Sequence, residues 1–320
     1  MLGVGLYGSN GHQIHYQLTG HTRARIVAHA ALKDEARAYL REHAPEAREY
    51  PSLEEMLADP AVEMVSLCSP VRATQADETI QALRAGRHVY AEKPCAFTEE
   101  ELDLILTVSR EENRYFRQMS GTIYGQPYWK IREIVRSGVL GEIVQAFSQK
   151  SYPNHASRPH DEAIDGGLVR QVGIHAVRFI TQCTGLEIQD IHCLESQVGL
   201  KDRGDLRSTA NLSMALSNGA LAQSVLNYAN QPGLGTWGYE IVRVWGTKGF
   251  VESTDAGRRT RLVVGERDLG PLTELEASAP DELDVLFARI LDGTPEPLSA
   301  DEELHPTRMI LRAKSRARLI

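Results

Sequence analysis

In the first 120 residues, short apolar runs alternate with helical patterns, and this constrains the fold more than any other feature of the chain. The runs stand at 4–7, 26–28, 62–68, 88–91 and, more weakly, 115–119. Between them, Ser52-Leu53-Glu54-Glu55 and Thr98-Glu99-Glu100-Glu101 have the form of capping boxes. In that motif a hydroxyl and a carboxylate three residues on satisfy the unpaired amides of a helix start. Leu102, Ile105 and Leu106 follow at helical spacing, and 74–85 reads as a helix stopped by Gly86. Strands separated by helices of this length pair in parallel through right-handed crossovers. The pattern predicts a doubly wound parallel sheet.

After about residue 122 the pattern changes. Residues 127–137 read as a helix closed by Gly138, 142–152 as a long strand, and 166–184 as one helix ending at Gly185. Segments 207–217 and 220–228 flank Asn218-Gly219, a hairpin turn signal. Further strands are predicted at 239–245, 249–253 and 261–264, and helices at 281–291 and 300–317. Consecutive strands joined by tight turns make an antiparallel sheet. The expected organisation is an α/β domain over 1–121 and an α+β domain over 122–320. The length, 320 residues, also suggests about two domains.

Composition narrows the partners. Lys plus Arg is 35 and Asp plus Glu is 43, a net charge of −8, which is the wrong sign for binding nucleic acid. No apolar run reaches the roughly 18 residues of a membrane span, and Met1-Leu2-Gly3 lacks the basic start of a signal peptide. Cys68, Cys95, Cys183 and Cys193 form no Cys-x-x-Cys pair, so reduced thiols and a cytoplasmic location are expected. His12 with His15, and His155 with His160, lack the cysteines or carboxylates of a zinc site, so no metal is expected. Arg308, Arg312, Lys314, Arg316 and Arg318 crowd the end of the last helix, where cations complement its dipole.

A literal G-x-G-x-x-G starts at Gly3, but Gly3 and Gly5 fall inside the first strand, whereas the nucleotide motif begins where the strand ends. Gly8-Ser9-Asn10-Gly11-His12 is the better loop. Gly8 makes the tight turn. Asn10 tolerates left-handed backbone in place of the middle glycine, and Gly11 admits a pyrophosphate to the following helix start. NAD calls for an acid at the end of the second strand. Residues 27–33 read VAHAALK and hold none. Lys33 suits the 2′-phosphate of NADP as well as it suits a solvated helix start, so NAD and NADP both stand.

The stretch Ala85-Gly86-Arg87-His88-Val89-Tyr90-Ala91-Glu92-Lys93-Pro94 resembles the Gfo/Idh/MocA oxidoreductases, the family of glucose–fructose oxidoreductase and inositol dehydrogenase. There a strand reading A-G-K-H-V-x-x-E-K-P presents a lysine. Residues 166–175, GGLVRQVGIH, are similar to the family helix G-G-x-x-x-D-x-G-x-H, and 308–320 to its closing helix. The resemblance implies an N-terminal Rossmann domain. It also implies a C-terminal substrate and oligomerisation domain with an open, mostly antiparallel sheet, whose last helix returns to the first domain. It assigns Lys93 and His175 as catalytic, and puts Gln171, which cannot ionise, in the place of the family aspartate. On the cofactor side it adds Ser69, Pro70, Glu92, Lys93 and Pro94 to Gly8, Ser9, Asn10, Gly11, His12 and Lys33. Ser69-Pro70 stands where the family has T-P-N-x-x-H, and the histidine of that motif is absent. Arg178 stands where an acid is common.

The chemistry is coherent without the family. Oxidising an alcohol sends a hydride to nicotinamide and a proton to a base, and histidine titrates nearest neutral pH. A partly buried lysine stabilises a developing alkoxide. Gln171 and His175, four apart, would share a helix face, with Gln171 holding a substrate hydroxyl. The polar stretch 151–161 leads into that helix. Tyr152 and His155 from it, with Tyr124, are the further substrate-binding candidates. The expected protein is an NAD(P)-dependent oxidoreductase acting on a hydroxyl carbon of a sugar, cyclitol or derivative. An antiparallel sheet with one bare face also predicts a homodimer or homotetramer. Two rivals are an NAD-dependent glycoside-cleaving enzyme and a non-catalytic nucleotide-binding sensor.

Overall fold

The alternating N-terminal pattern folds as six strands: β1 (Leu2–Tyr7), β2 (Ala24–Ala30), β3 (Arg48–Tyr50), β4 (Met64–Leu67), β5 (His88–Glu92) and β6 (Phe116–Met119). They are seen in a computed structural model that describes residues 1–200, 204–273, 275 and 280–320. The strands lie in the order β3-β2-β1-β4-β5-β6, and every pairing is parallel. That order is the dinucleotide-binding one, with its ligand crevice at the carboxyl ends of the strands. Helices α1 (His15–Leu18), α2 (Asp34–His43), α3 (Leu53–Ala58), α4 (Gln75–Arg84) and α5 (Glu99–Glu111) connect them. Thr98 and Glu101 form the full reciprocal box, and Ser52 accepts from the Glu55 amide. The early glycines serve packing. A Cβ on Gly3 would lie 2.0 Å from the Ala61 carbonyl oxygen, so the literal glycine motif is a feature of strand contact.

The second half contains α6 (Tyr128–Arg136), β7 (Ile143–Ser151), α7 (Glu162–Asp165), α8 (Ile174–Thr184), β8 (Ile188–Ser196), β9 (Thr209–Leu216) and β10 (Leu221–Asn227). Then come β11 (Tyr239–Gly246), β12 (Gly249–Thr254), β13 (Arg259–Val264), β14 (Arg267–Asp268), α9 (Glu282–Asp292), α10 (Ala300–Ser315) and β15 (Arg318–Leu319). Nine strands form one sheet in the order β14-β13-β12-β11-β7-β10-β9-β8-β15. The β7–β10 and β8–β15 pairs are parallel and the others antiparallel. The inner residues of β8, β9 and β10 form a core with α8 and α10. The other face carries Phe147, Leu194, Leu221, Val225, Ile241 and Trp245, of which Leu194 is 40% and Leu221 61% exposed.

Three readings change. Residues 166–184 do not form one α-helix: Leu168–Gly173 is π-helical and α8 begins at Ile174. The wider π turn carries an extra residue, which shifts side chains upstream of α8 out of α-helical register. Gly173 at the junction is packed so closely that a Cβ would meet Ile310 and Leu226 at 2.9 and 3.0 Å. Second, Lys314 does more than complement a dipole. It reaches Glu162 at 2.9 Å and Glu195 at 2.8 Å in a largely buried ion cluster. Third, α1 has only four residues, so the loop after β1 does not run into a long helix.

The chain divides into two units. Unit 1 holds Met1–Ser120, Ala163–Gly166 and Leu283–Pro297; unit 2 holds the rest. The segment returning to unit 1 therefore includes most of α9, while α10, the last helix, belongs to unit 2. Leu283, Leu286 and Phe287 of α9 bury against Leu2, Val4, Ile14 and Leu18.

Candidate functional site

In unit 1 the site is built on the carboxyl ends of β1, β4 and β5. Gly8 has φ +68°, and a Cβ there would sit 2.1 Å from the Cys68 carbonyl oxygen. Gly11 has φ +126°, and a Cβ would sit 2.7 Å from the Glu92 carboxylate. Both positions require glycine. Among the described residues, none accepts a hydrogen bond from the backbone N–H of Ser9 or Gly11. A loop with bare amides and no side chain over its glycines fits the pyrophosphate of a dinucleotide.

Asn10 departs from expectation. It is not among the residues with positive φ, so it does not replace a left-handed glycine. Its side chain is what the loop uses. Nδ2 donates to the Ile164 carbonyl at 2.6 Å and to the Pro70 carbonyl at 3.2 Å, and the Asn10 carbonyl accepts from Arg72. Ser9 Oγ accepts from the Lys33 amide at 3.1 Å, which ties the loop to the start of α2; the Lys33 residue is exposed.

Glu92 is 1% exposed and closes the loop from below. Its Oε2 accepts from the His12 amide at 2.6 Å and meets His12 Nδ1 at 3.0 Å. Burial pushes its carboxyl up. The His12 bonds and the charges of His12, Lys93 and Arg72 outweigh burial and hold it down at about 2. Glu92 is thus a buried anion beside Lys93, itself 4% exposed. The Lys93–Pro94 peptide is cis. Gln75, which the sequence reading missed, brackets this peptide. Its Nε2 donates to the carbonyls of Glu92 and Pro94, and its Oε1 accepts from Ser69 N–H and Arg72. Ser69 is fully buried, and its hydroxyl donates to Glu78. It therefore holds the loop rather than presenting a hydroxyl to a ligand. Tyr7 also donates to Glu78; burial first, then Glu78, raises the phenol to about 12.

In unit 2, His175 stands at the start of α8, where Thr122 Oγ1 meets its Nδ1 at 2.6 Å. Gln171 lies in the π turn. Its Oε1 accepts from Arg158 Nη1 at 3.3 Å and from the Tyr228 hydroxyl at 3.2 Å, and the Arg158 guanidinium stacks 3.8 Å from the Tyr228 ring centre. Gln171 lies in the π turn and His175 in α8, so the i, i+4 spacing of a single α-helix does not apply to them. Tyr152 and His155 gather around Trp237, with ring centres 6.1 and 5.1 Å away. Tyr124, two residues after Thr122, is buried, with its hydroxyl 3.4 Å from Glu303, which also pairs with Arg178 at 2.6 Å. Arg178, found where an acid was expected, thus has its acid from α10. Thr122, Arg158, Tyr228 and Trp237 were not singled out from the sequence. Arg158 lies within the flagged stretch 151–161, and the others carried no local signal.

Among the described residues no group of three or more His, Cys, Asp or Glu could hold a metal ion, and no helix is long and apolar enough to cross a membrane. The four cysteines are buried and unlinked.

A parallel sheet in this order, with a glycine-bounded anion loop at its carboxyl edge, defines a dinucleotide-binding protein. Known families narrow the class. Residues 1–118 match the oxidoreductase family with an NAD-binding Rossmann fold, and residues 128–252 match the GFO/IDH/MocA C-terminal domain. The chain belongs to the GFO/IDH/MocA oxidoreductase family. It is similar to the uncharacterised oxidoreductase YrbE of Bacillus subtilis, 26% identical over 67% of this chain and 61% of that one. It is similar also to myo-inositol 2-dehydrogenase of Thermotoga maritima, 22% identical over 79% and 77%. Two further curated relatives are matched over 39% and 38% of their length, so the chain spans less than two thirds of several of its relatives. A solved oxidoreductase from Thermotoga maritima superposes with TM-score 0.84 at 23% identity, covering 98% of this chain and 97% of that one, which shows a shared fold.

Proposed function

We propose that the chain is an NAD(P)-dependent oxidoreductase that moves a hydride between nicotinamide and a hydroxyl-bearing carbon of a sugar, cyclitol or derivative. The observation that carries this reading is Lys93. It directly follows the parallel strand β5, its flanking carbonyls are held by buried Gln75, and its neighbour Glu92 is a buried anion. The nicotinamide, when bound, supplies the hydride acceptor. Lys93 stabilises the developing alkoxide. His175 moves the proton, and its contact with Thr122 at Nδ1 supports Nε2 as the exchanging atom. Gln171, steadied by Arg158 and Tyr228, holds a substrate hydroxyl, and Tyr152 and His155, beside Trp237, are the further substrate contacts we propose. The amides of Ser9 and Gly11 would hold the pyrophosphate of a bound dinucleotide, and Lys33 would lie toward its adenosine ribose. The substrate class is supported by the myo-inositol dehydrogenase relative and by the polar, aromatic surroundings of Gln171.

The test is a titration with NAD and NADP followed by a screen of sugars, cyclitols and glycosides. Net formation of reduced nicotinamide is expected. Sugar release without net cofactor change indicates the glycoside-cleaving reading. No saturable binding of either dinucleotide overturns both.

The bare sheet face with Phe147, Leu221 and Ile241 supports assembly into a homodimer or homotetramer. Light scattering at micromolar concentration should give two or four times the chain mass; a value near 35.5 kDa overturns this. Four unlinked cysteines suit a reducing compartment, and we assign the cytoplasm.

A further inference from the structure

Ala163–Gly166 is a short stretch of unit 1 placed between two stretches of unit 2. Its last residue, Gly166, and the next, Gly167, have φ of +96° and +67°, backbone that glycine adopts freely. Directly after them comes the π turn with Gln171, then α8 with His175. The nucleotide loop bonds to this stretch. Asn10 Nδ2 donates to Ile164 O at 2.6 Å, shorter than its bond to Pro70. Both amide hydrogens of Asn10 are thereby committed to carbonyls of the chain. So are its backbone N–H, which donates to Cys68 O, and its backbone carbonyl, which accepts from Arg72. Asn10 has no donor left for a phosphate, and its backbone is not left-handed. Neither usual reason for asparagine in such a loop applies.

We propose that Asn10 is a positioning residue that couples dinucleotide binding to the placement of the Gln171–His175 segment. This rests on the dinucleotide reading above. A dinucleotide settling on the amides of Ser9 and Gly11 orders the loop on either side of Asn10. Because Asn10 grips Ile164, the stretch leading to Gln171 is ordered with it. The glycines at 166 and 167 let that stretch adjust without moving the helix core. Occupancy of the dinucleotide site and the placement of the substrate residues are then linked, each favouring the other.

Hydrogen exchange tests this without a known substrate. In the parent protein, saturating NAD, or NADP if that binds tighter, should slow exchange across 163–175 by about fivefold or more, as expected for coupled sites. In Asn10→Ala, studied at saturating dinucleotide, that slowing should fall to less than about twofold. Exchange at 163–167 without dinucleotide should rise by roughly two- to tenfold, the worth of one hydrogen bond. Asn10→Asp keeps the shape but cannot donate to Ile164, and should behave alike; it serves if the alanine variant fails to fold. Dinucleotide binding that leaves 163–175 unchanged in the parent overturns the coupling and spares the cofactor reading. So does a variant that keeps the full slowing. Complete loss of binding in both variants also overturns it, since Asn10 would then be part of the binding site itself. Absence of binding in the parent defeats the cofactor reading and the coupling together.

Discussion

The nucleotide edge of unit 1 and the Gln171 cluster of unit 2 are held together in different ways. At the first, side chains pair with one another but also bond to main chain: Gln75 to two carbonyls, Glu92 to an amide, Arg72 to a carbonyl. At the second, side chains bond to side chains: Arg158 and Tyr228 to Gln171, Thr122 to His175. Main-chain groups are the same whatever the residue, so a site pinned through them keeps its shape under most substitutions. A site made of side-chain pairs changes its chemistry with one. On the reading proposed above, the cofactor end would therefore tolerate substitution better than the substrate end around Gln171.

The sharpest test of this contrast is Lys93→Ala. Turnover on the substrate identified by screening should fall by about two to four orders of magnitude, while dinucleotide affinity changes little, because the loop amides remain. Lys93→Arg should not rescue, since a guanidinium is larger and does not give up its proton. Equal loss of turnover and affinity would mean that Lys93 holds the loop, and the contrast would fail within unit 1 itself.

Next comes Glu92→Gln, which should cost about 1–3 kcal/mol of stability at neutral pH by weakening the His12 contacts. The fold holds this carboxyl down at about 2, against an ordinary value of 4.5. Its stabilising contribution is full above the ordinary value and is lost as pH falls through about 2. Melting curves of parent and variant should therefore differ most near neutral pH and converge in strong acid. A constant gap at all pH values would assign the loss to packing.

On the substrate side, Gln171→Ala should raise KM by roughly tenfold with a smaller change in kcat, as for a lost hydrogen bond made in the ground state. A fall in kcat alone would place Gln171 in the chemical step. The smallest effect expected is at Lys33, which contributes its backbone amide to the loop and leaves an exposed side chain. Lys33→Glu should weaken NADP by about 0.5–1 kcal/mol more than NAD, the scale of an exposed charge pair. Equal effects in the two titrations remove Lys33 from the ribose end.

The same contrast explains what could be read from the sequence. Five of the six parallel strands were legible as short apolar runs between helical patterns; β3 (Arg48–Tyr50) was not, because its three residues, Arg-Glu-Tyr, form no apolar run. Gly8 and Gly11 were legible because backbone demands leave a residue signature, and the Glu92–Lys93 strand end through its resemblance to a family motif. Gln75 was not, since a glutamine bonding to carbonyls looks like any glutamine at a helix start. Arg158, Tyr228 and Thr122 act through partners 13, 57 and 53 positions away, which no local pattern encodes. The π turn has no periodicity of its own to find, and it displaced the face expected for Gln171. β8 alternates inward Ile191 and Cys193 with outward His192 and Leu194, but Glu195, buried by Lys314, breaks the apolar series.

The return of Leu283–Pro297 to unit 1 bears on how the protein is made. Synthesis is directional, and domains tend to fold as they emerge. Here the surface formed by Leu2, Val4, Ile14 and Leu18 must wait for Leu286 and Phe287. The nascent nucleotide unit therefore stays open on that side until residues 283–297 have left the ribosome, and it closes only after the strands of the large sheet up to β14 have been made. A gene fragment encoding residues 1–120 would express a sheet with an uncovered apolar flank. A soluble minimal version would need the 283–297 helix supplied from elsewhere, joined to it or added in trans.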